Sequence, residues 1–255
     1  MGKIHLVTCE AGAEKVVKHI MLGEPIIGLA CTGVNVGPKG QLSLVVLSNS
    51  EGDVFTFDVK KHPDIMYEGL GRLLQSVHVL KVVHGSGPVA ANLHTQFGIN
   101  LQNIFDTQVA YSVVLEKQGL CPRKVTLSSL WDKCGIHQYT PSPEFQKLLA
   151  EDMHAWVRRP LTRDMLNTAA SYALPLVPTL YKQLLGTIEK DCWDWFCVLN
   201  DKERLSLLHP KKSSKLRQKA LNQSTAASGS QLPVIKLTMT QRALLKNTVP
   251  PAAQC

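Results

Sequence analysis

Five short apolar, β-rich segments open the chain: IHLVTC (4–9), PIIGLACT (25–32), QLSLVVLS (41–48), DVFTFDV (53–59) and VLKVVHG (79–85). The turns between the middle three dictate how they pair. GPKGQ at 37–41 carries the glycine and proline of a hairpin connection, and SNSEGD at 48–53 is a second polar turn. The second, third and fourth segments are therefore expected to form an antiparallel meander. Between the first two, AEKVVKHIML places Val16, Val17, Ile20 and Met21 on one helical face.

The pattern then changes to strand and helix in alternation. A helix around 66–76 leads into VLKVVHG, another is expected near 89–97, and in NIFDTQVAYSVV a short strand runs into a helix with Asp106 placed as its N-cap. From 126 onward the chain reads as helical, near 126–135, 143–156, 162–185 and 188–199, and there is no internal repeat. A meander extended by strand-helix units predicts an α/β domain, a mixed β-sheet flanked by helices.

Charge divides the chain. Residues 205–255 hold eight of its 28 lysines and arginines and none of its 20 acids, so the net +8 sits entirely there. This divides the protein into a folded part over 1–204 and a basic, largely disordered tail over 205–255, periodicity failing beyond about Leu208. PKKSSKLRQK (210–219) is the densest run, and Lys211, Lys212, Lys215, Arg217 and Lys219 are candidate phosphate-neutralising residues. The same run reads equally as a solvated extension, and weakly as a nuclear-import signal. LPVIKLTMTQRALLK (232–246) is more apolar and suits a segment that orders on a partner or, alternatively, a frayed amphipathic piece packed on the domain.

The seven cysteines form an odd set with no C-x-x-C pair and no His/Cys spacing of the zinc type, which predicts reduced thiols. No window reaches the eighteen or so apolar residues of a membrane span, and MGKIHLVTCE is not a secretory leader. A cytoplasmic protein without membrane partners is the expectation.

Four segments, GVNVGPKGQLSLVVL (33–47), LKVVHG (80–85), QFGINLQNIFDTQVA (96–110) and WVRRPLT (156–162), occur in this order. Together they resemble the DEDD-type 3'-5' exonuclease domain of the ribonuclease D group, most closely its Egalitarian-like branch and the exonuclease-domain proteins of the piRNA pathway. The resemblance covers roughly residues 20–185 and implies a ribonuclease H-like fold. It also implies chemistry with two Mg²⁺ or Mn²⁺ ions, held by carboxylates about 3.5–4 Å apart.

Carried over position by position, the family's D-x-E-G motif falls on Ala30, Cys31, Thr32 and Gly33, so both acids are gone. Its second motif runs from His through an acid to a metal-holding Asp five residues on, and falls on His84, Gly85 and Val89. The third, Tyr-Ala-Ala-x-Asp, becomes Thr168, Ala169, Ala170, Ser171 and Tyr172. Neutral side chains at all four acid positions cannot concentrate hydrated Mg²⁺, and loss of one member of a cooperating set already costs orders of magnitude in rate. The implied site is degenerate, with no catalytic residue, no metal ligand and no retained cofactor.

Of the surviving candidates, Asp106 is read as a helix cap, Asp58 as a turn residue and His84 as a hydrogen-bonded structural residue. Cys31 points away from the face of Ala30 and Thr32 as a buried thiol. One of Arg158 and Arg159 braces the C-terminal helices, and Arg158 is kept as a minor phosphate-binding candidate. Trp193, Trp195 and Phe196 read as core rather than as a base-stacking platform. The function expected is a non-catalytic adaptor that binds RNA or single-stranded nucleic acid and RNA-silencing or mRNA-transport proteins. A working exonuclease with rearranged ligands, and a homodimeric protein-protein module without nucleic acid, stay open.

Overall fold

The computed structural model describes residues 2–216 and 218, apart from residues 24, 68 and 138. The chain forms β1 (Ile4–Val7), α1 (Glu10–Leu22), β2 (Ile26–Val34), β3 (Gln41–Ser48), β4 (Val54–Phe57), α2 (Gly69–Gln75), β5 (Leu80–Val83), α3 (Ser86–Phe97), β6 (Ile104–Asp106), α4 (Thr107–Lys117), α5 (Leu127–Lys133), α6 (Pro143–Glu151), α7 (Arg163–Ala173), α8 (Lys182–Thr187) and α9 (Trp193–Leu205). The six strands form one sheet in the order β1-β4-β3-β2-β5-β6. The meander expected from its turns is present, with β2–β3 and β3–β4 antiparallel, while β5 and β6 add in parallel after their helical crossovers. β1 takes the far edge, parallel to β4. No helix among the described residues is long and apolar enough to cross a membrane.

Strand alternation sorts the central β2 onto two faces. Ile27, Leu29 and Cys31 join a cluster built with α1, α2 and α3. Ala30 faces the other way, onto an alanine-rich patch of α7 (Ala169, Ala170, Ala173) beside Trp156 and Leu161. Leu29 is fully buried, and its truncation to alanine would cost about 2–5 kcal/mol. The register slips by one residue between Thr32 and Gly33, where a β-carbon would lie 2.0 Å from the Gln41 carbonyl oxygen, so only glycine fits.

The helical half departs from its expected outline at prolines and at one acid. The expected helix over 162–185 stops at Ala173, passes through a π-helical turn Leu176–Tyr181, and resumes as α8. Pro175 and Pro178 have no N–H to donate, and the Leu180 amide reaches back five residues to the Pro175 carbonyl at 2.9 Å. The expected helix over 143–156 ends at Glu151, where Asp152 turns its carboxylate onto the His154 amide and Arg158.

The reading of the chain beyond Leu208 as unstructured is corrected at its start: residues 210–216 are helical. Ser213 is buried and donates its hydroxyl to the Lys202 carbonyl at 2.9 Å, a tertiary contact that polar composition does not announce. Lys211, Lys212 and Lys215 stand exposed on this helix. Arg217, Lys219 and the segment at 232–246 lie outside the described residues.

Candidate functional site

The carried-over motif positions occupy β2, the start of α3 and the middle of α7. α7 lies across β2, β3 and β4, and a 3₁₀ turn, Ala155–Val157, covers β2 and β3. Thr168 and Tyr172 lie on α7, whose alanines share a cluster with Ala30, whereas Val89 is packed in the α1–α2–α3 cluster.

The environment is apolar where a metal site would be acidic. Ala30, Trp156 and Leu161 each pack on the buried cluster of Leu44, Val46, Val54, Ala169, Ala170 and Ala173. Tyr172 stacks on Trp131 (6.3 Å between centroids, 20° between planes), and Trp156 meets it edge-on at 6.3 Å. Burial pushes the Tyr172 hydroxyl pKa up from its ordinary 10. The buried hydroxyls of Thr32 and Thr168 and the Trp131 indole N–H have no hydrogen-bond partner among the described residues. These are buried neutral groups, and they cannot offset the charge of a divalent ion. The sequence flagged the replaced positions, but not Trp131 and Trp156, whose aromatic character alone does not distinguish filling this space from ordinary core.

Asp106 and Asp58, the carboxylates that the motif context singles out, are already engaged. Asp106 is fully buried and accepts from the backbone amides of Gly85 (3.0 Å), Ser86 (2.6 Å) and Gln108 (2.9 Å), which makes it the α4 cap and the clamp on the turn entering α3. Its own amide donates to Asn200 Oδ1 at 2.9 Å, so α9 covers the outer edge of β6. Asp58 accepts from the Lys61 amide, as a turn residue should. It is also almost fully buried and receives Arg159 Nε at 2.8 Å and the same guanidinium's Nη2. Arg159 further donates to the Trp156 carbonyl (3.1 Å) and the Ser43 hydroxyl (3.1 Å), bracing the Trp156 turn onto β3. Arg158 is paired with Asp152 at 2.7 Å. Among the described residues, no three His, Cys, Asp or Glu side chains converge on a point where a metal could sit. This donor set does not fit the pair of divalent ions that the family's chemistry uses.

His84 has both ring nitrogens occupied. The Val125 carbonyl can only accept, so Nε2 carries a proton toward it (2.9 Å), while Nδ1 lies 2.9 Å from the Thr107 hydroxyl, which also reaches the Val83 carbonyl at 3.2 Å. Burial pushes its pKa down against the opposing pull of the Asp106 charge and the Val125 carbonyl. Burial likewise pushes the Cys31 thiol up to about 12, an inert group on the face opposite Ala30. Trp195 and Phe196 are core, with the Trp195 indole donating to Glu116 at 2.8 Å and Phe196 tilted on Phe105.

Relatives and solved structures agree with this fold. The chain is 30% identical over 179 residues to a Mus musculus protein described as piRNA biogenesis protein EXD1, covering 65% of this chain and 30% of that one. It is 27% identical over 200 residues to an Egalitarian protein homolog of Caenorhabditis elegans, covering 74% and 34%. The chain thus spans about a third of the length of these relatives. Among solved structures, Trypanosoma brucei RNase D in complex with RNA U12 superposes with a TM-score of 0.64 at 20% identity, covering 92% of this chain and 74% of that one. Escherichia coli RNase D does so with a TM-score of 0.63 at 18% identity, covering 80% and 50%. A family model described as 3'-5' exonuclease matches residues 5–189, and by that match the chain belongs to the 3'-5' exonuclease family.

Proposed function

We propose that this chain is a non-catalytic member of the family, an adaptor that binds single-stranded RNA and RNA-silencing or mRNA-transport proteins on a retained nuclease fold. One observation carries the reading: neutral side chains stand at all four acid positions, and Ala30, first among them, packs on the apolar cluster of β3 and α7 while Asp58 and Asp106 are engaged elsewhere. Phosphoryl transfer of this kind needs metal ions to activate water and take up leaving-group charge, and a site without carboxylates supplies neither. Removing acids also lessens repulsion of a polyanion, so loss of catalysis is compatible with binding. The RNA part is supported by likeness to an RNase D seen with RNA and to proteins described by piRNA biogenesis and as Egalitarian.

The test is incubation of the full chain with 5'-labelled single-stranded RNA in Mg²⁺ and in Mn²⁺, alongside a binding titration. Bound but intact RNA is expected. A ladder of shortened products overturns the non-catalytic part, and no binding at low salt overturns the RNA part.

A further inference from the structure

Two basic segments far apart in sequence come together on α9. The first is the loop between α4 and α5, which carries Arg123 and Lys124. It is fixed by side chains below it: His84 Nε2 and Gln108 Nε2 each donate to the Val125 carbonyl at 2.9 Å, and the Ser112 hydroxyl donates to the Arg123 carbonyl at 3.1 Å. Lys202 of α9 lines a shallow 200 Å³ depression together with Arg123 and Lys124. The second segment is the helix over 210–216, tied to the same Lys202 through the buried Ser213. The elbow before it seats on α3 because residue 87 is glycine: a β-carbon there would meet the Ser206 hydroxyl at 2.6 Å and the Glu203 carbonyl at 2.9 Å. Leu208 then packs against the core.

The charge on this face is one-sided. Of its acids, Glu203 is paired with Lys124 (2.7 Å) and Asp201 with Arg204 (3.1 Å), and Glu116, which accepts from the Trp195 indole (2.8 Å), keeps its charge against the larger number of cations. Arg123, Lys202, Lys211, Lys212 and Lys215 make no ion pair among the described residues. A cluster of cations whose anchoring backbone is held by hydrogen bonds attracts a polyanion without first having to order itself. The depression is smaller than the roughly 300–1,000 Å³ of pockets that enclose small ligands, which suits a chain of phosphates lying across it.

We infer that the face formed by Arg123, Lys202, Lys211, Lys212 and Lys215 is a preorganised docking surface for the phosphate backbone of single-stranded RNA. This rests on the RNA-binding reading above and deepens it. The face borders the segment from His84 to Gly87, so a strand held there would pass beside the family's second motif.

The experiment is fluorescence anisotropy of the full chain with a short labelled single-stranded RNA over a series of salt concentrations. Wild type is compared with R123Q/K202Q/K211Q/K215Q and with a charge-matched control, K15Q/K18Q/K61Q/K182Q, drawn from exposed lysines elsewhere. The face variant is expected to bind at least about tenfold more weakly, and its salt slope to shrink by about 0.7 for each phosphate it no longer neutralises, while the control stays within about twofold of wild type. Equal weakening in both variants, or an unchanged face variant when wild type binds, overturns the face and leaves the RNA-binding reading standing. No binding by wild type at low salt overturns that reading and the face with it. A polyglutamate peptide that displaces the RNA as well as an RNA of equal charge does would assign the face to acidic proteins and overturn the proposal. Circular dichroism and melting of each variant confirm that all are folded.

Discussion

Asp106 is expected to act as a structural clamp, and its replacement measures that role directly. Oδ1 accepts from the Gly85 and Gln108 amides and Oδ2 from the Ser86 amide, all within a fully buried site. A hydrogen bond to a charged group contributes about 1.5–3 kcal/mol, and three sharing one carboxylate are not additive. Asp106→Ala strands three backbone donors and should cost at least about 4 kcal/mol, a large fraction of the roughly 5–15 kcal/mol that holds a domain together. Asp106→Asn keeps one oxygen for Gly85 and Gln108 but sets amide hydrogens against the Ser86 N–H, and should cost about 2–3 kcal/mol. Urea denaturation followed by circular dichroism reads both values, and the order wild type, Asn, Ala is the expected one. A metal ligand would behave differently, because Mn²⁺ would then raise the wild-type midpoint by binding the native state and leave the variants unmoved. An Ala variant within about 1 kcal/mol of wild type, or a Mn²⁺-dependent midpoint, would refute the clamp.

Three further outcomes are expected. Arg159→Met should destabilise by about 3–5 kcal/mol, because it leaves the buried Asp58 carboxylate without its cation, and replacing both residues by apolar ones should recover part of the loss in thermal melts. Lys81 is fully buried, and desolvation pushes its pKa from 10.5 down to about 7. The unfolded chain therefore binds an extra proton between those values, so stability should rise from pH 7 toward pH 10 by up to about 1.4 kcal/mol per unit, a rise that Lys81→Met should flatten in denaturation series. Iodoacetamide labelling read by mass spectrometry should modify the exposed Cys9 and Cys121 first and spare Cys31 and Cys197, whose thiols burial pushes up to about 12.

What the sequence disclosed and what it concealed divide along the range of the interactions. The meander was legible because its turn residues lie beside the strands they join, and the Asp106 cap because the groups it serves include its own helix. The face of Cys31 followed from a period of two. Asp58 looked like a turn residue and is one, yet its partner Arg159 lies 101 positions away, where no local pattern points. The ring contacts of Trp131 and Trp156 with Tyr172 are also remote in sequence, so the replaced motif was visible while the aromatic residues around Tyr172 were not. The helix over 210–216 was hidden for a related reason: its polar composition lacks an apolar stripe, and one buried serine hydroxyl ties it to α9. Arg123 and Lys202, read one at a time, are ordinary surface cations, and only the fold brings them to one depression and ties the helix over 210–216 to the Lys202 backbone.

Manganese titration of the full chain, followed by the electron paramagnetic resonance signal of free Mn²⁺, tests the central claim most directly. With Ala30, Thr32, Val89 and Tyr172 at the motif positions and Asp58 and Asp106 engaged elsewhere, the free-ion signal should grow in proportion to added metal, with no site tighter than on the order of millimolar. Stoichiometric loss of signal, corresponding to two bound ions per chain, would mean that carboxylates converge on a working metal site, and would contradict the account.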